Sequence, residues 1–105
     1  ELRRVLRPGG RVVITTWEPV DRFGVVVPER LLRVDVHAGL VAAGFVDIVL
    51  KQRDDWRAVE HALWSEAATV DPGDDPALAS LRDEARRSLQ VWPTLRRVHA
   101  TATSP

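Results

Sequence analysis

The chain has 105 residues, 45% of them hydrophobic and 29% charged, and a formal net charge of zero. These values predict one small globular domain with a core. They argue against binding of nucleic acid or anionic membranes through excess positive charge. The absence of cysteine excludes disulfides and thiolate chemistry, and no apolar run approaches the roughly 20 residues that cross a bilayer. We therefore expect a cytoplasmic protein.

The first predicted elements are a short helix and a strand. Residues 1–7 carry Leu2, Val5 and Leu6 at helical spacing, with the arginines on the other side. The following Pro8-Gly9-Gly10 is typical of a helix stop followed by a turn. Residues 11–17 contain the β-branched run Val12-Val13-Ile14, which favours a strand covered on both faces, as in a parallel sheet. Ligands of open α/β sheets lie beyond the carboxyl ends of strands, so the polar end of this strand is the first candidate site.

The middle of the chain predicts a connection, a helix and a second strand. Residues 18–34 leave the candidate end of the sheet and form either a wall or lid or a plain surface loop; Pro28 opens a short helical turn within them. Asp35 is a good helix cap and Gly44 a good helix end. In the strand at residues 45–51, Val46, Ile48 and Leu50 are expected on one face.

The last third predicts a helical hairpin and a closing strand. Asp54 or Asp55 caps a first helix over residues 54–70, in which Val59 and Leu63 belong to the packing stripe. Asp75 and Pro76 begin a second helix that runs to residue 92. Trp56, Trp64 and Trp92 are expected in the hairpin core or at an interface. Residues 96–103 read as the last strand.

Three segments resemble a known family in the right order. Glu1-Leu2-Arg3-Arg4-Val5-Leu6-Arg7-Pro8-Gly9-Gly10-Arg11-Val12-Val13-Ile14 resembles the block that precedes and forms the fifth strand of class I S-adenosylmethionine-dependent methyltransferases. Asp35-Val36 and then Ala43-Gly44-Phe45-Val46-Asp47-Ile48 resemble the following helix and sixth strand. Arg97-Val98-His99-Ala100-Thr101-Ala102 would be the closing strand, antiparallel and inserted between the other two.

The resemblance implies an α/β fold: the C-terminal part of a Rossmann-like sheet, with about three strands. Residues 1–105 would form a single domain, a partial methyltransferase fold. In the family a short hairpin joins the last two strands, so residues 54–92 are interpreted as a helical hairpin insertion. This insertion would cap the substrate pocket or make a dimer contact.

The family's donor-binding elements have no counterpart in this sequence. They are a glycine-rich loop after the first strand, an acidic residue after the second and an aspartate-containing region near the fourth. Gly9-Gly10 precedes a strand, whereas a nucleotide-cradling loop follows one. The resemblance therefore implies S-adenosylmethionine for a longer parent enzyme and no cofactor for this chain alone. The start at Glu1, the lack of methionine and the bias toward arginine fit a piece of a bacterial protein.

Catalytic residues are not assigned, because methyl transfer depends mainly on alignment of the reacting groups. Trp17 would stack on a flat acceptor or pack under the following loop, and Glu18 would accept a hydrogen bond or proton from substrate or be solvated. The histidines His37, His61 and His99 lack metal-ligand spacing, so no metal site is expected. The candidate substrate-binding residues are Thr16, Trp17, Glu18, Arg22, Phe23 and Arg30.

Two functions from different classes follow. The first is the C-terminal segment of a bacterial methyltransferase that acts on a small-molecule acceptor and is inactive in isolation. The second is a non-catalytic interaction module derived from the same fold, with a homodimer formed through the exposed strand edge or the helical hairpin. Nucleic-acid binding is a third and weaker hypothesis, since the arginine clusters are balanced by acids.

Overall fold

The computed structural model describes residues 1–21 and 27–105. The chain order is α1 (Leu2–Val5), β1 (Arg11–Pro19), α2 (Glu29–Leu32), α3 (Val36–Ala42), β2 (Val46–Gln52), α4 (Asp54–Ala67), α5 (Pro76–Val91), a 3-10 turn (Trp92–Thr94) and β3 (Leu95–Thr103). In the part of the chain that is described, no helix is long and apolar enough to cross a membrane.

The sheet has three strands in the order β1-β3-β2, and β3 is antiparallel to both neighbours. This confirms the predicted closing strand between the other two. The register places Glu18 opposite Arg96 and Trp17 opposite Arg97. Because side chains alternate along a strand, these two cross-strand pairs lie on opposite faces of the sheet.

One face of the sheet packs against α3, and we call it the α3 face. Its core consists of apolar side chains from β1, α3, the residue just before β2, and β3: Val12, Val36, Leu40, Phe45, Val98, Ala100 and Ala102. Helix α3 begins at Asp35, whose carboxylate accepts the Ala38 N–H at 2.9 Å. Gly44, with φ +81°, follows the helix. Both helix boundaries agree with the sequence prediction, because the cap and the left-handed glycine are local signals.

The opposite face carries α4 and α5, and we call it the hairpin face. Asp75 caps α5 by accepting the Ala77 N–H at 2.8 Å, as predicted. Helix α4 lies against β3, where Glu60 Oε1 is 3.3 Å from Arg97 Nε. This covering is partial: Val13 of β1 remains 59% exposed. The prediction that β1 is covered on both faces is therefore wrong for the described residues.

The structure corrects three further predictions. A β-bulge shifts the register between Val46 and Val49, and Asp47 has φ +51°. The extra residue turns Val46 to the hairpin face, while Ile48 packs on the α3 core. The residue that caps α4 is Arg53, so Asp54 and Asp55 lie in the first turn, where their charge favours the helix dipole. Two α4 residues predicted to pack, Val59 and Leu63, are 71% and 64% exposed.

Candidate functional site

The last side chains of β1 point alternately to the two faces of the sheet. Glu18 points to the α3 face and is only 1% exposed. Its Oε1 accepts the Val36 N–H at 2.7 Å, and its Oε2 accepts Arg96 Nη2 at 2.7 Å and Nε at 3.2 Å. The carboxylate thus ties β1 to β3 and to the first turn of α3, where the helix dipole also favours an anion. Both of its oxygens are engaged within the chain.

Trp17 points to the hairpin face. Its ring meets Trp92 in an edge-to-face arrangement with centroids 4.8 Å apart and planes at 67°. The Arg97 guanidinium carbon lies 5.0 Å from the Trp17 centroid. These contacts hold the indole at the end of the strand while leaving part of it accessible. Thr16, half-buried and opposite Val98, belongs to the α3 face.

A cavity of about 200 Å³ lies beside Trp17, between α2 and the two helices of the hairpin. A second cavity of about 270 Å³ shares three of its polar residues, Arg30, Glu84 and Ser88, and adds Arg87. Because of these shared walls, we treat the two as one space, called the tryptophan cleft. Its tryptophan walls are Trp17, Trp64 and Trp92.

The charges at the mouth of the cleft do not cancel. Arg30 and Arg87 face one acidic residue, Glu84, which leaves a formal charge of +1. In residues 1–21 and 27–105, no ion pair joins either arginine or the glutamate to another described residue. The arrangement offers two guanidinium groups to an oxyanion at the mouth and indole surface to an apolar body inside.

The structure brings together only part of the candidate set. Trp17 and Arg30 line the cleft, whereas Thr16 and Glu18 lie on the other face of the sheet. Arg22 and Phe23 lie outside the described residues. His37 and His61 are exposed, and His99 is half-buried with its ring 5.7 Å from Trp56. The described residues contain no group of three or more histidines, cysteines or acids that could hold a metal ion.

The sequence predicted that the helical hairpin would cap the substrate pocket or make a dimer contact, but no residue of α5 was among the candidates. Glu84, Ser88 and Val91 form one stripe of α5 at spacings of four and three residues, and this stripe lines the cleft. The signal available in the sequence was Ser88 and Val91 at helical spacing from the charged Glu84.

The glycine turn before β1 does not fit S-adenosylmethionine. The Gly9 N–H donates to the Ser104 carbonyl at 2.7 Å, and the Gly10 N–H donates to the Arg7 carbonyl at 2.9 Å. The Ser104 N–H donates in turn to the Gly10 carbonyl at 2.8 Å. The N–H groups of both glycines are therefore already hydrogen-bonded within the chain, and the turn offers no free N–H donors to a nucleotide.

Comparison with solved structures shows the fold. The chain is similar to phosphoethanolamine N-methyltransferase 2 of Haemonchus contortus in complex with phosphomonomethylethanolamine and S-adenosylhomocysteine, at TM-score 0.64 and 17% identity. It is similar at TM-score 0.61 and 17% identity to the selenomethionine form of that enzyme in complex with S-adenosyl-L-methionine. Each match covers 99% of this chain and 28% of the other. The chain thus has part of a methyltransferase fold.

No protein-family model and no curated protein matches the chain.

Proposed function

We propose that this chain is the C-terminal, acceptor-side part of a bacterial S-adenosylmethionine-dependent methyltransferase that acts on a small molecule. The observation that carries the proposal is the fold match over 99% of the chain to two methyltransferase structures, of which it spans only 28%. The cleft beside Trp17 supports it, because ligands of such sheets bind beyond the carboxyl ends of the strands.

The division of labour follows from the residues present. S-adenosylmethionine supplies the methyl group, and its site belongs to polypeptide outside residues 1–105. The described residues bind and orient the acceptor: tryptophan walls exclude water, and arginines at the mouth fix a polar group. Orientation is a large share of what such a reaction requires, since well-aligned reactants gain up to roughly 7–11 kcal/mol over free encounter.

Two measurements test this function. Calorimetric titration of S-adenosylmethionine into residues 1–105 is expected to give no binding in the micromolar range, and micromolar binding would overturn the proposed division. The longest open reading frame that contains residues 1–105 is then incubated with methyl-tritiated S-adenosylmethionine and a panel of small amines, phenols and carboxylates. Transfer of tritium to a small molecule supports the proposal; transfer to none of the panel, or only to protein, contradicts it.

A non-catalytic interaction module is the second candidate, favoured by uncovered surface. Among the described residues β1 pairs only with β3, so its other edge carries no strand. The apolar pair Val59 and Leu63 on α4 is exposed, and an open strand edge invites pairing with another chain. Sedimentation of residues 1–105 distinguishes the two candidates: a stable dimer, with no methyl transfer by the longer chain, supports the module.

A further inference from the structure

The inner end of the tryptophan cleft is built for a flat apolar group. Trp17 and Trp92 hold each other at 4.8 Å between centroids, and Trp64 contributes a further indole wall. Indole rings present large, rigid apolar surfaces at low entropic cost, and they stack or pack edge-on with another ring. The volume of about 200 Å³ is below the usual range for drug-sized ligands, so the occupant is small.

Two of these rings already contact cationic side chains of the chain. The Arg97 guanidinium lies 5.0 Å from the Trp17 centroid, and that of Arg57 lies 5.7 Å from the Trp92 centroid. Both rings therefore already take part in cation–π contacts within the chain. Glu60 pairs with Arg97 at 3.3 Å and Glu84 lines the same cavity, so the expected preference against a cationic ligand rests on Arg30 and Arg87 at the outer end.

The outer end is built for an oxyanion. Arg30 reaches it from α2 and Arg87 from α5, so two separate elements bring a guanidinium to the same cavity. Neither side chain forms an ion pair with a described residue. Guanidinium groups bind carboxylate and phosphate through paired hydrogen bonds. Glu84 at the same place reduces the positive charge without cancelling it.

We propose that the tryptophan cleft binds a small aromatic compound that carries an oxyanion, with its ring among Trp17, Trp64 and Trp92 and its anionic group at Arg30 and Arg87. Naming this compound as the methyl acceptor rests on the proposed function; binding itself does not. A carboxylate and a phosphate share the required chemistry.

The test uses the four indole N–H signals of residues 1–105 in proton–nitrogen correlation spectra. The probes are 1-naphthoate, the neutral 1-naphthalenemethanol and the cationic 1-naphthylmethylammonium, with 1-naphthyl phosphate as the second oxyanion. Saturable shifts are expected for Trp17, Trp64 and Trp92, while Trp56, which lies outside the cleft, serves as the internal control. Naphthoate should bind at least about tenfold more tightly than the alcohol, because the oxyanion gains charge-assisted hydrogen bonds. The ammonium should bind weakest.

Two adjacent arginines of α5 give a matched pair of variants. Arg87 lines the cleft, whereas Arg86 is exposed and lines neither of its two cavities. We expect Arg87→Ala to weaken naphthoate binding about fivefold or more and to leave the affinity for the alcohol unchanged. Arg86→Ala should change neither. Equal affinity for all probes, equal effects of the two variants, or equal shifts of Trp56 would overturn the proposal.

The outcome separates this inference from the proposed function. If residues 1–105 bind naphthoate as expected but the longer chain transfers no methyl group, the cleft assignment stands and the methyltransferase function fails. If the longer chain methylates neutral acceptors as well as anionic ones, and Arg87→Ala leaves KM unchanged, the function stands and the cleft assignment fails.

Discussion

The two faces of the sheet differ in the side chains that they carry and in the walls of their cavities. On the α3 face, small and β-branched side chains from β1 and β3 pack against α3 in an apolar core, beside a cavity of about 260 Å³ between α1 and α3. On the hairpin face, the strands carry Trp17, Arg97 and His99, and the cleft between the sheet, α2 and the two hairpin helices has both indole and charged walls. The cavity on the α3 face has mainly apolar walls, whereas the tryptophan cleft combines indole walls with charged groups. The two faces therefore differ in the chemistry that they offer to a ligand.

The end of β1 shows the division at the scale of two residues. Glu18 and Arg96 face each other across the β1–β3 ladder on the α3 face, with Oε2 and Nη2 2.7 Å apart. Trp17 and Arg97, one residue earlier on β1 and one later on β3, face each other on the hairpin face. The first pair is buried at its carboxylate and positions α3. The second pair supports the wall of the cleft.

The largest expected effect comes from breaking the buried pair. Arg96→Met leaves the Glu18 carboxylate, whose side chain is 2% exposed, with only the hydrogen bond from the Val36 N–H among its contacts with described residues. An uncompensated buried charge costs about 3–5 kcal/mol, so urea unfolding should show a loss of that order. Arg11→Met, at an exposed position of the same strand pairing, is the control and should change stability by less than about 0.5 kcal/mol.

A double variant keeps this prediction decisive even if Arg96→Met barely folds. Arg96→Met leaves the Glu18 carboxylate without its cationic partner, and Glu18→Gln removes that charge. The double variant should therefore be more stable than Arg96→Met by about 1 kcal/mol or more. A double variant less stable than Arg96→Met, or an Arg96→Met no worse than Arg11→Met, would show that the pair does not support the α3 face.

The next effect tests whether Trp17 serves binding more than stability. Trp17→Leu removes one aromatic contact and one guanidinium contact, worth together about 1–2 kcal/mol. Trp56→Leu is the matched control, because Trp56 also contacts an arginine, with Arg53 3.8 Å from its centroid, and a second ring, His99. We expect similar losses of stability in urea unfolding. Loss of naphthoate binding is expected for Trp17→Leu alone; its retention there would remove Trp17 from the cleft.

Two glycines of the α3 face provide a smaller test of opposite sign. Gly44 has φ +81°, so Gly44→Ala should cost about 1 kcal/mol through strain in the left-handed region. At Gly39, within α3, an added Cβ meets nothing within 4 Å. Gly39→Ala should therefore stabilise the chain by about 0.5–1 kcal/mol, because alanine restricts the unfolded chain and favours helix. Thermal unfolding measures both; a shared sign would contradict the assigned helix end.

Local signals made most of the fold predictable. The caps at Asp35 and Asp75, the end at Gly44 and the position of the closing strand β3 each depend on signals within a few residues, and the structure agrees with them. The strand order depended on the family resemblance, since no local rule places β3 between β1 and β2. The bulge at Asp47 was not predictable from local sequence, because it depends on how β2 pairs with β3, a strand distant in the chain.

The candidate site was predictable only where the chain direction decided it. Trp17 and Arg30 follow from the rule that ligands lie beyond strand ends, and both line the cleft. The separation of Trp17 from Glu18 follows from strand alternation, yet the burial of Glu18 depends on Arg96 and α3, which are distant in sequence. The walls from α4 and α5 depend on how the hairpin packs on the sheet, and periodicity alone does not fix that packing.

The smallest effect concerns an exposed ion pair, the counterpart on the hairpin side of the buried Glu18–Arg96 pair. Arg53 donates to both oxygens of Asp55, at 2.9 and 2.7 Å, and lowers the pKa of that carboxyl from 3.8 to about 2. A lowered pKa in the folded state means that the pair stabilises the fold above pH 3.8 and that this contribution disappears as the pH falls through about 2. Because both groups are solvated, the change in stability should be slight and should shrink further with salt.

The measurement is a carbon-detected titration of the Asp55 carboxyl, with a midpoint expected near pH 2. Arg53→Gln should move that midpoint upward toward 3.8. Lys51→Gln, which removes an exposed cation four residues earlier in the chain, should leave the midpoint in place. If both variants move the midpoint equally, the effect comes from the general positive field rather than the pair. An Arg–carboxylate pair would then affect stability on the α3 face, where the carboxylate is buried, and have no specific effect at the start of α4, where both groups are exposed. Burial of the carboxylate would account for that difference.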